Sequence, residues 1–444
     1  MNDTRNMILA VVLSALVLIG WGMLSERFFP QPKPAVAAKA APKGAQEAVA
    51  TAPGTTPTAP AATATLSRPQ AIGAVPRVRI LTPSLEGTLS LQGARFDDLR
   101  LVRHTNTLGE DEVPNRLLSP VGASGSYFAS FGWVGQGVAT PDANSVWTAS
   151  SRELRPGRPV TLTWTNPTGQ RFEQIVSVDD GYLFTIQQRV VNAGGGAIAV
   201  RPYALLSRAG RSPDPDGWTH HVGPMSVLGG IANYDINYET VDEAGPTGVQ
   251  ASGNGGWLGF TDKYWLTALA PAGDTPMTTT LRRGSGNTYL AEYSLEPQVL
   301  GAGQAAAATT RLFAGAKEKE WLDRYEDENI VPEISQSIDW GWFEWFMRPI
   351  FSLLVWLFQT IGNFGWAIIA LTFIVRLIMY PIFDRQFRSM AGMRAIQPKM
   401  KELQERHKDD KTKMQQELLE LYKREKINPA AGCLPIFLQI PVFY

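Results

Sequence analysis

An apolar run that carries a single arginine constrains this chain most. The run extends from Asn363 to Tyr380, and as a helix it would be about 27 Å long, close to the hydrocarbon thickness of a bilayer. Arg376 lies inside it with no acidic residue in the run. An arginine in a membrane helix costs roughly 2.5–3.5 kcal/mol on insertion scales, so its presence needs a reason. Either the guanidinium extends to the cytoplasmic headgroups, or it faces a water-filled cavity lined by protein.

The N-terminal part of the chain is typical of a membrane anchor followed by a tether. Residues 1–6 form a short polar segment, and residues 7–24 contain no charged residue. An apolar segment of that length favours an uncleaved signal anchor, transmembrane helix 1, over a cleavable signal peptide. Residues 25–76 are rich in Ala, Pro and Thr and have no apolar period, which predicts a flexible linker.

Strand patterns dominate residues 77–316. Alternating, β-branched and aromatic runs are separated by turn signals that contain Gly, Pro or Asn. Residues 174–178 and 183–191 lie on either side of Asp179-Asp180-Gly181 and predict a β-hairpin. Many short strands with little helical periodicity predict one large antiparallel β-sandwich. Residues 317–343 predict a helical connection back to the membrane.

The segment before the spanning run is apolar but interrupted. Residues 344–361 contain Arg348-Pro349 and two tryptophans, with Trp342 just before them, which is typical of an amphipathic helix in the membrane interface. Alternatively, they extend the spanning helix at 362–380, transmembrane helix 2. A single helix of that combined length would exceed the bilayer, so we predict an interfacial helix and a separate spanning helix.

A basic segment follows the spanning run. Between Arg385 and Lys426 there are twelve Lys or Arg against seven Asp or Glu. Apolar residues step by three and four, which predicts two short helices folded into a hairpin over residues 381–428. The positive excess places this hairpin in the cytoplasm, so the N-terminus is also cytoplasmic and the sandwich lies on the opposite side. The apolar steps are Met393, Ile396, Met400, Leu403, Met414, Leu418 and Leu421.

The last sixteen residues, 429–444, begin another apolar segment that contains three prolines. They are too few to span a bilayer comfortably, so we expect the incomplete start of transmembrane helix 3. This segment contains Cys433, the single cysteine, which excludes an internal disulfide.

The sequence predicts no catalytic residue, no metal site and no cofactor. Asp214-Pro-Asp216-Gly with His220-His221 could be drawn as a metal loop, but the spacing fits neither calcium nor zinc patterns and favours a turn with a charged rim. Nothing indicates that the carboxylates near the predicted hairpin share a cleft. The chain has no phosphate loop and no nucleophile elbow. The carboxylates in question are Glu173, Asp179 and Asp180.

The methionines of the basic hairpin allow two interpretations. They are ordinary residues of the seam between its helices, or they form a deformable apolar surface for varied hydrophobic segments. The basic excess also suits anionic lipid or ribosomal RNA, although charge alone is a weak signal. The methionines are Met390, Met393, Met400 and Met414.

Four ordered stretches resemble the YidC family of bacterial membrane-protein insertases. They are FIVRLIMYP at 373–381, MAGMRAIQPK at 390–399, LYKREKINP at 421–429 and GCLPIFLQIP at 432–441. The upstream organisation is similar to that of Gram-negative members, which carry an N-terminal anchor and a large periplasmic sandwich of the supersandwich type. GWLGFTDKYW at 256–265 is similar to a patch of that domain.

The resemblance implies a multi-pass protein of the bacterial inner membrane that inserts and folds hydrophobic clients, alone or with the Sec translocon. Family members use a hydrophilic groove with one arginine, and the matching position is Arg376. The basic hairpin is similar to the family's cytoplasmic hairpin, which receives clients and contacts the ribosome and targeting machinery. Expected partners are therefore nascent membrane proteins, these factors and the lipid bilayer, with no DNA. The hairpin residues carried over are Met390, Met393, Met400, Arg394 and Lys399.

Two other classes remain open from the residues alone. One is a membrane-anchored periplasmic module whose sandwich binds carbohydrate or polypeptide, and the other is a periplasmic glycan enzyme. The family groove is built from five core membrane helices, of which this chain supplies one and part of a second. We therefore expect the chain to be the N-terminal part of a longer insertase.

Overall fold

The computed structural model describes residues 66–105, 113–215, 217, 220–341, 344–406 and 411–425. The predicted anchor at 7–24, most of the predicted linker and the predicted third membrane segment at 429–444, with Cys433, lie outside the described residues. All described residues belong to one compact unit, Gly54–Tyr444.

The described residues form twenty strands and six α-helices. The strands are β1 (Arg77–Leu81), β2 (Leu85–Ser90), β3 (Arg95–Thr105), β4 (Pro114–Leu118), β5 (Tyr127–Gln136), β6 (Thr148–Ala149), β7 (Glu153–Leu154), β8 (Val160–Thr165), β9 (Arg171–Val178), β10 (Leu183–Val191), β11 (Ile198–Ala209), β12 (Gly223–Leu228), β13 (Ile231–Asn233), β14 (Val249–Asn254), β15 (Trp257–Thr261), β16 (Trp265–Pro271), β17 (Pro276–Arg283), β18 (Thr288–Ser294), β19 (Gln298–Leu300) and β20 (Ala305–Ala316). The helices are α1 (Arg68–Gly73), α2 (Tyr238–Ala244), α3 (Lys319–Asp327), α4 (Glu344–Ile361), α5 (Phe364–Arg406) and α6 (Lys411–Arg424), with a 3-10 helix at Ile334–Ser337.

The strands form two sheets, so the predicted β-sandwich is confirmed. The first sheet has eleven strands in the order β14-β17-β18-β11-β5-β3-β2-β1-β7, with β19 on β11 and β4 on β3. The second has nine strands in the order β13-β12-β15-β16-β20-β10-β9-β8-β6. The pairing is antiparallel except between β1 and β7, which are parallel over two residues. The predicted hairpin is β9 and β10, paired from Phe184–Val178 to Val191–Arg171.

The core lies between the two sheets and contains an aromatic cluster. The ring of Phe96 on β3 lies 5.6 Å from that of Phe131 on β5 and 5.2 Å from that of Phe184 on β10, both edge to face. Because these strands belong to different sheets, the cluster joins them. Burying each such side chain stabilises the fold by roughly 1.5–3 kcal/mol.

Two buried glutamines also join the sheets. Gln174 Nε2 donates to the carbonyl of Phe131 at 2.8 Å, and Gln188 Nε2 donates to that of Gly132 at 2.8 Å. Both side chains are 1% exposed, so an unmade hydrogen bond there would carry the full desolvation penalty.

Helix α3 closes one end of the sandwich and leads the chain away from it. The Tyr325 hydroxyl donates to Asp179 Oδ2 at 2.6 Å and accepts from the Tyr182 amide at 3.0 Å. Burial raises the pKa of Asp179, while the hydrogen bond from Tyr325 opposes that shift. These contacts fix α3 against the turn of the β9–β10 hairpin.

The C-terminal helices differ from the sequence prediction at one boundary. The predicted spanning helix ends at Tyr380, but α5 is continuous over 43 residues through Pro381 and Pro398. A proline removes one backbone donor and bends a helix without always ending it. The spanning run and the first arm of the basic hairpin are therefore one helix.

Candidate functional site

An open cleft of about 730 Å³ lies between α4 and α5. Nine residues of α5 and two of α4 line it, and most of them are apolar. The lining residues are Met347, Ile350, Leu371, Thr372, Val375, Arg376, Met379, Tyr380, Phe383, Asp384 and Phe387.

A two-residue turn joins α4 to α5 and places the two helices on either side of this cleft. Gly362 has a φ of 75°, which glycine adopts without strain, and its amide bonds the carbonyl of Phe358 at 2.7 Å. Asn363 then caps α5, because its Oδ1 accepts from the Trp366 amide at 3.1 Å. The rings of Phe358 and Phe364 meet edge to face at 5.6 Å. The chain therefore reverses here, and α4 folds back along α5.

Arg376 is exposed on the wall of the cleft. Within the described part of the chain it forms no ion pair. Asp384, the carboxylate that shares the cleft, pairs instead with Arg388 at 2.8 Å. Eight residues of helix also separate Asp384 from Arg376, or about 12 Å along the axis. The Arg376 charge is thus not neutralised by its described neighbours.

Arg376 belongs to a polar stripe that the sequence prediction missed. Thr372, Arg376, Tyr380 and Asp384 recur every four residues, and all four line the cleft. Residues at this spacing lie on one face of a helix. The four-residue period was readable in the sequence and would have identified these companions of Arg376.

Outside this stripe, the part of α5 before Pro381 has an apolar and exposed surface. Phe373, Leu377 and Ile378 are 68%, 63% and 67% exposed. Of the described helices, one is long and apolar enough to cross a membrane, and it begins at Phe364. An apolar face of this size on a helix suits hydrocarbon rather than water.

The predicted hairpin residues fall into two groups. Lys399 Nζ lies 2.8 Å from Glu425 Oε1, and Met400 Sδ accepts from the Tyr422 hydroxyl at 3.7 Å, so both residues contact the other arm. Met390 and Arg394 are exposed, and Met393 is half-buried. Lys399 and Met400 therefore lie at the contact between the two arms, whereas Met390 and Arg394 lie on the exposed surface of α5.

The carboxylates and histidines weighed in the sequence have separate local contacts. Glu173 pairs with Arg171 and Arg189 at 3.1 and 3.3 Å, whereas Asp179 bonds α3. His221 Nε2 donates to the carbonyl of Pro224 at 3.0 Å. Among the described residues there is no group of three or more His, Cys, Asp or Glu side chains that could hold a metal ion.

Two family models match this chain in succession. The YidC periplasmic domain matches residues 77–353, and the 60Kd inner membrane protein family matches residues 356–444. The first match covers the sandwich and the start of α4, and the second covers the cleft residues of α5.

Relatives match over the whole chain. The membrane protein insertase YidC of Zymomonas mobilis is 41% identical over 444 residues, covering 100% of this chain and 75% of that protein. The insertase YidC of Methylobacterium radiotolerans is 40% identical, covering 100% of this chain and 76% of that protein. A crystal structure of an active YidC insertase with its first transmembrane domain resolved is 18% identical, with a TM-score of 0.28, over 83% of this chain and 70% of that one. The chain belongs to the YidC family of inner-membrane insertases.

Proposed function

We propose that the cleft beside Arg376 receives the polar, translocated part of a client protein while the client's hydrophobic segment moves into lipid. One observation carries this proposal. A guanidinium with no ion pair among the described residues lies on a polar stripe of the one described helix that is long and apolar enough to span a membrane. A charge in that place is costly unless water or a partner solvates it.

The physical role of Arg376 is to lower the barrier for a polar segment to cross. Its guanidinium holds water in the cleft and attracts acidic or polar residues of the client. The attraction is stronger than in bulk water because the surrounding cleft walls are apolar. The step requires no cofactor and no nucleotide.

The proposed orientation places the N-terminus and the α5–α6 hairpin in the cytoplasm and the sandwich in the periplasm of a bacterium. The excess of Lys and Arg between Arg385 and Lys426 supports it by the positive-inside rule. The exposed Trp345 and Trp356 of α4 suit the headgroup region in this arrangement. The protein is then a multi-pass protein of the inner membrane.

The hairpin is the proposed cytoplasmic contact for clients, the ribosome and the targeting machinery, and the Sec translocon is a proposed partner of the membrane region. Met390 and Arg394 are exposed, which supports a direct contact role. Lys399 and Met400 contact the second arm, so we propose that they hold the hairpin together first and contact partners only in addition.

Substitution of Arg376 tests the groove role. In the full-length protein, Arg376→Ala is expected to slow insertion of a client with an acidic translocated segment by about tenfold, the loss of one charged hydrogen bond. Arg376→Lys retains the charge and most of the rate. The assays are depletion–complementation growth and protease protection of the client.

Arg388→Ala is the matched control, since it removes an arginine of the same helix that already has a carboxylate partner. It is expected to behave like wild type. Normal growth and normal insertion with Arg376→Ala would refute the groove role.

A further inference from the structure

Tyr264 differs from the other aromatic side chains of the sandwich because it is exposed. It is 57% exposed, whereas every other Phe, Trp or Tyr that the structure describes between residues 66 and 341 is buried or half-buried. The ammonium of Lys263 lies 5.2 Å from the centroid of the Tyr264 ring. A cation and an aromatic ring therefore stand together at the tip of the turn between β15 and β16, residues 262–265, which is termed the Tyr264 turn.

The Tyr264 turn is rigidly supported from beneath. The Asp262 amide donates to the Trp265 carbonyl at 2.8 Å, and the Lys317 amide donates to the Tyr264 carbonyl at 2.9 Å. The Asp262 side chain is buried and paired with Arg208 at 2.9 Å. The rings of Tyr264 and Trp265 also meet edge to face at 6.1 Å. The fold itself therefore holds the Tyr264 ring in an exposed position.

The Tyr264 turn lies beside the point where the chain leaves the sandwich for the membrane. Lys317, whose amide bonds the Tyr264 carbonyl, also donates from Nζ to the Ser337 carbonyl at 3.3 Å. Helix α4 begins at Glu344, seven residues after Ser337. Seven fully extended residues span at most about 25 Å. The Tyr264 turn is therefore on the end of the sandwich that faces the apolar helices.

An exposed tyrosine beside a lysine fits the headgroup region of a bilayer. A tyrosine there places its ring against the acyl chains and its hydroxyl among the headgroups, while the ammonium of Lys263 attracts lipid phosphates. Arg103, exposed at the end of β3, adds a second cation at this end, because the adjacent His104 lies 2.8 Å from Glu318 at the start of α3. The chemistry of this end therefore matches an anionic lipid surface.

We propose that the Tyr264 turn docks on the lipid surface of the bilayer, with the Tyr264 ring among the headgroups and the Lys263 ammonium on lipid phosphates. Docking fixes the orientation of the sandwich relative to the membrane and directs its opposite end away from the lipid. This inference rests on the proposed placement of α5 across the membrane, and it does not depend on the role of Arg376.

Photo-crosslinking in proteoliposomes tests the docking. The full-length protein carries the substitution Tyr264→benzoylphenylalanine, which retains an aromatic ring, in vesicles of phosphatidylethanolamine and phosphatidylglycerol. Mass spectrometry after illumination measures the yield of lipid adducts. We expect a yield about tenfold above that of the same label at Val299, because burial of the exposed ring favours the docked state by about that factor.

Val299 is the matched control, since it is apolar and 72% exposed but lies at the opposite end of the sandwich. It pairs with Ala199 of β11, nine residues before Arg208, which contacts the Tyr264 turn through Asp262. Nine strand residues correspond to about 30 Å. Equal lipid yields at positions 264 and 299, or adducts at 264 to a second copy of the chain instead of lipid, would overturn the proposal.

Charge reversal tests the role of Lys263. In the labelled background, Lys263→Glu is expected to lower the lipid yield at least about fivefold in the anionic vesicles, the weight of one basic residue at an anionic surface. It should change the yield little in vesicles of phosphatidylcholine alone. Arg171→Glu, at an exposed arginine on the distal end of β9, is the control and should have no effect. An unchanged yield with Lys263→Glu in anionic vesicles would refute the contact with lipid phosphates.

A label on α5 separates failure of the docking from failure of the membrane placement. Phe373 is 68% exposed on this helix, so Phe373→benzoylphenylalanine is expected to give lipid adducts whether or not the sandwich docks. Adducts at 373 without adducts at 264 would refute the docking alone. No adducts at either position would overturn the placement of α5 in the membrane and the docking with it. Arg376→Ala is expected to leave both yields unchanged.

Discussion

Arginine and aromatic side chains have opposite environments in the sandwich and in the α4–α5 pair. In the sandwich, Arg208 is 7% exposed, pairs with Asp262 at 2.9 Å and covers the Tyr127 ring at 5.0 Å. On α5, Arg376 is exposed and has no ion pair among the described residues, while Phe373 beside it is 68% exposed. Arg208 is therefore buried and paired in the sandwich, whereas Arg376 and Phe373 are both exposed on α5.

This difference indicates that the two regions are built for different surroundings. The buried Arg208 and Asp262 of the sandwich pair with each other, so the stability of the sandwich depends on its own contacts. The α5 surface needs hydrocarbon around its apolar residues and water or a client around Arg376. A substitution should therefore change folding stability in the first region and insertion in the second.

The largest expected effect comes from breaking the buried pair of the sandwich. Arg208→Met leaves the Asp262 carboxylate buried without its partner and is expected to lower the free energy of unfolding by about 3–5 kcal/mol. Arg376→Met, the same change on α5, is expected to alter it by less than about 0.5 kcal/mol. Denaturant unfolding in detergent, followed by tryptophan fluorescence, measures both.

The double variant Arg208→Met with Asp262→Leu separates pairing from desolvation. Since it removes both charges, it is expected to lose much less stability than Arg208→Met alone. Equal losses from Arg208→Met and Arg376→Met would contradict the distinction between the two regions.

A second prediction concerns Lys317, a half-buried lysine next to the helical connection to the membrane. Burial lowers the pKa of Lys317 to about 8, from an ordinary value of 10.5. The folded state binds this proton less tightly than the unfolded state. Burial of the charged ammonium therefore lowers the folding stability by its full amount below pH 8, and this cost decreases as the pH rises toward 10.5. Between about pH 7.5 and 9.5, wild type should gain roughly 1–2 kcal/mol of stability relative to Lys317→Met.

Paired denaturant titrations at the two pH values measure this gain. Lys263→Met, at an exposed lysine nearby, is the matched control and is expected to follow wild type. A difference between Lys317→Met and wild type that stays constant with pH would show that the Lys317 ammonium is not penalised by burial.

Much of the sandwich was predictable because strands with one buried face alternate in sequence. Residues 171–178 alternate in burial along the whole of β9, and the turn residues between 178 and 183 identify the hairpin. The parallel pairing of β1 with β7 was not predictable, because β7 has only two residues and the contact depends on the path of a long loop. Helix α2 was missed for the same reason, as seven residues give little periodic signal.

The cleft was predictable only in part. Arg376 was identified because a charge in an apolar run is conspicuous, whereas Thr372 and Tyr380 became visible only with the helical period. The sequence pattern around Arg348-Pro349 predicts an interfacial helix and no contact with the sandwich. The contacts of Arg348 with Ser335 and Trp340 depend on how α4 turns away from the 3-10 helix, which no local pattern encodes.

The smallest expected effect compares two glycines, one in each region. Gly362, between α4 and α5, has a φ of 75°, and Gly286, in the β17–β18 turn, has a φ of 67°; a Cβ at either would meet no atom within 4 Å. Alanine in this left-handed conformation costs about 1–2 kcal/mol. Gly362→Ala and Gly286→Ala should therefore lower stability by similar amounts in thermal unfolding, and Gly362→Asn by less, because asparagine tolerates positive φ.

The two glycines should differ in insertion, although they match in stability. The backbone strain lies within one residue, so it does not depend on the region. The structural consequence of the strain does depend on the region. A changed turn at Gly362 alters the angle between α4 and α5 and therefore the cleft. A changed turn at Gly286 alters one loop of the sandwich. Slower insertion with Gly362→Ala and normal insertion with Gly286→Ala would show that insertion depends on the geometry of the cleft and not on the stability of the chain. Equal insertion rates would mean that the turn does not set the geometry of the cleft.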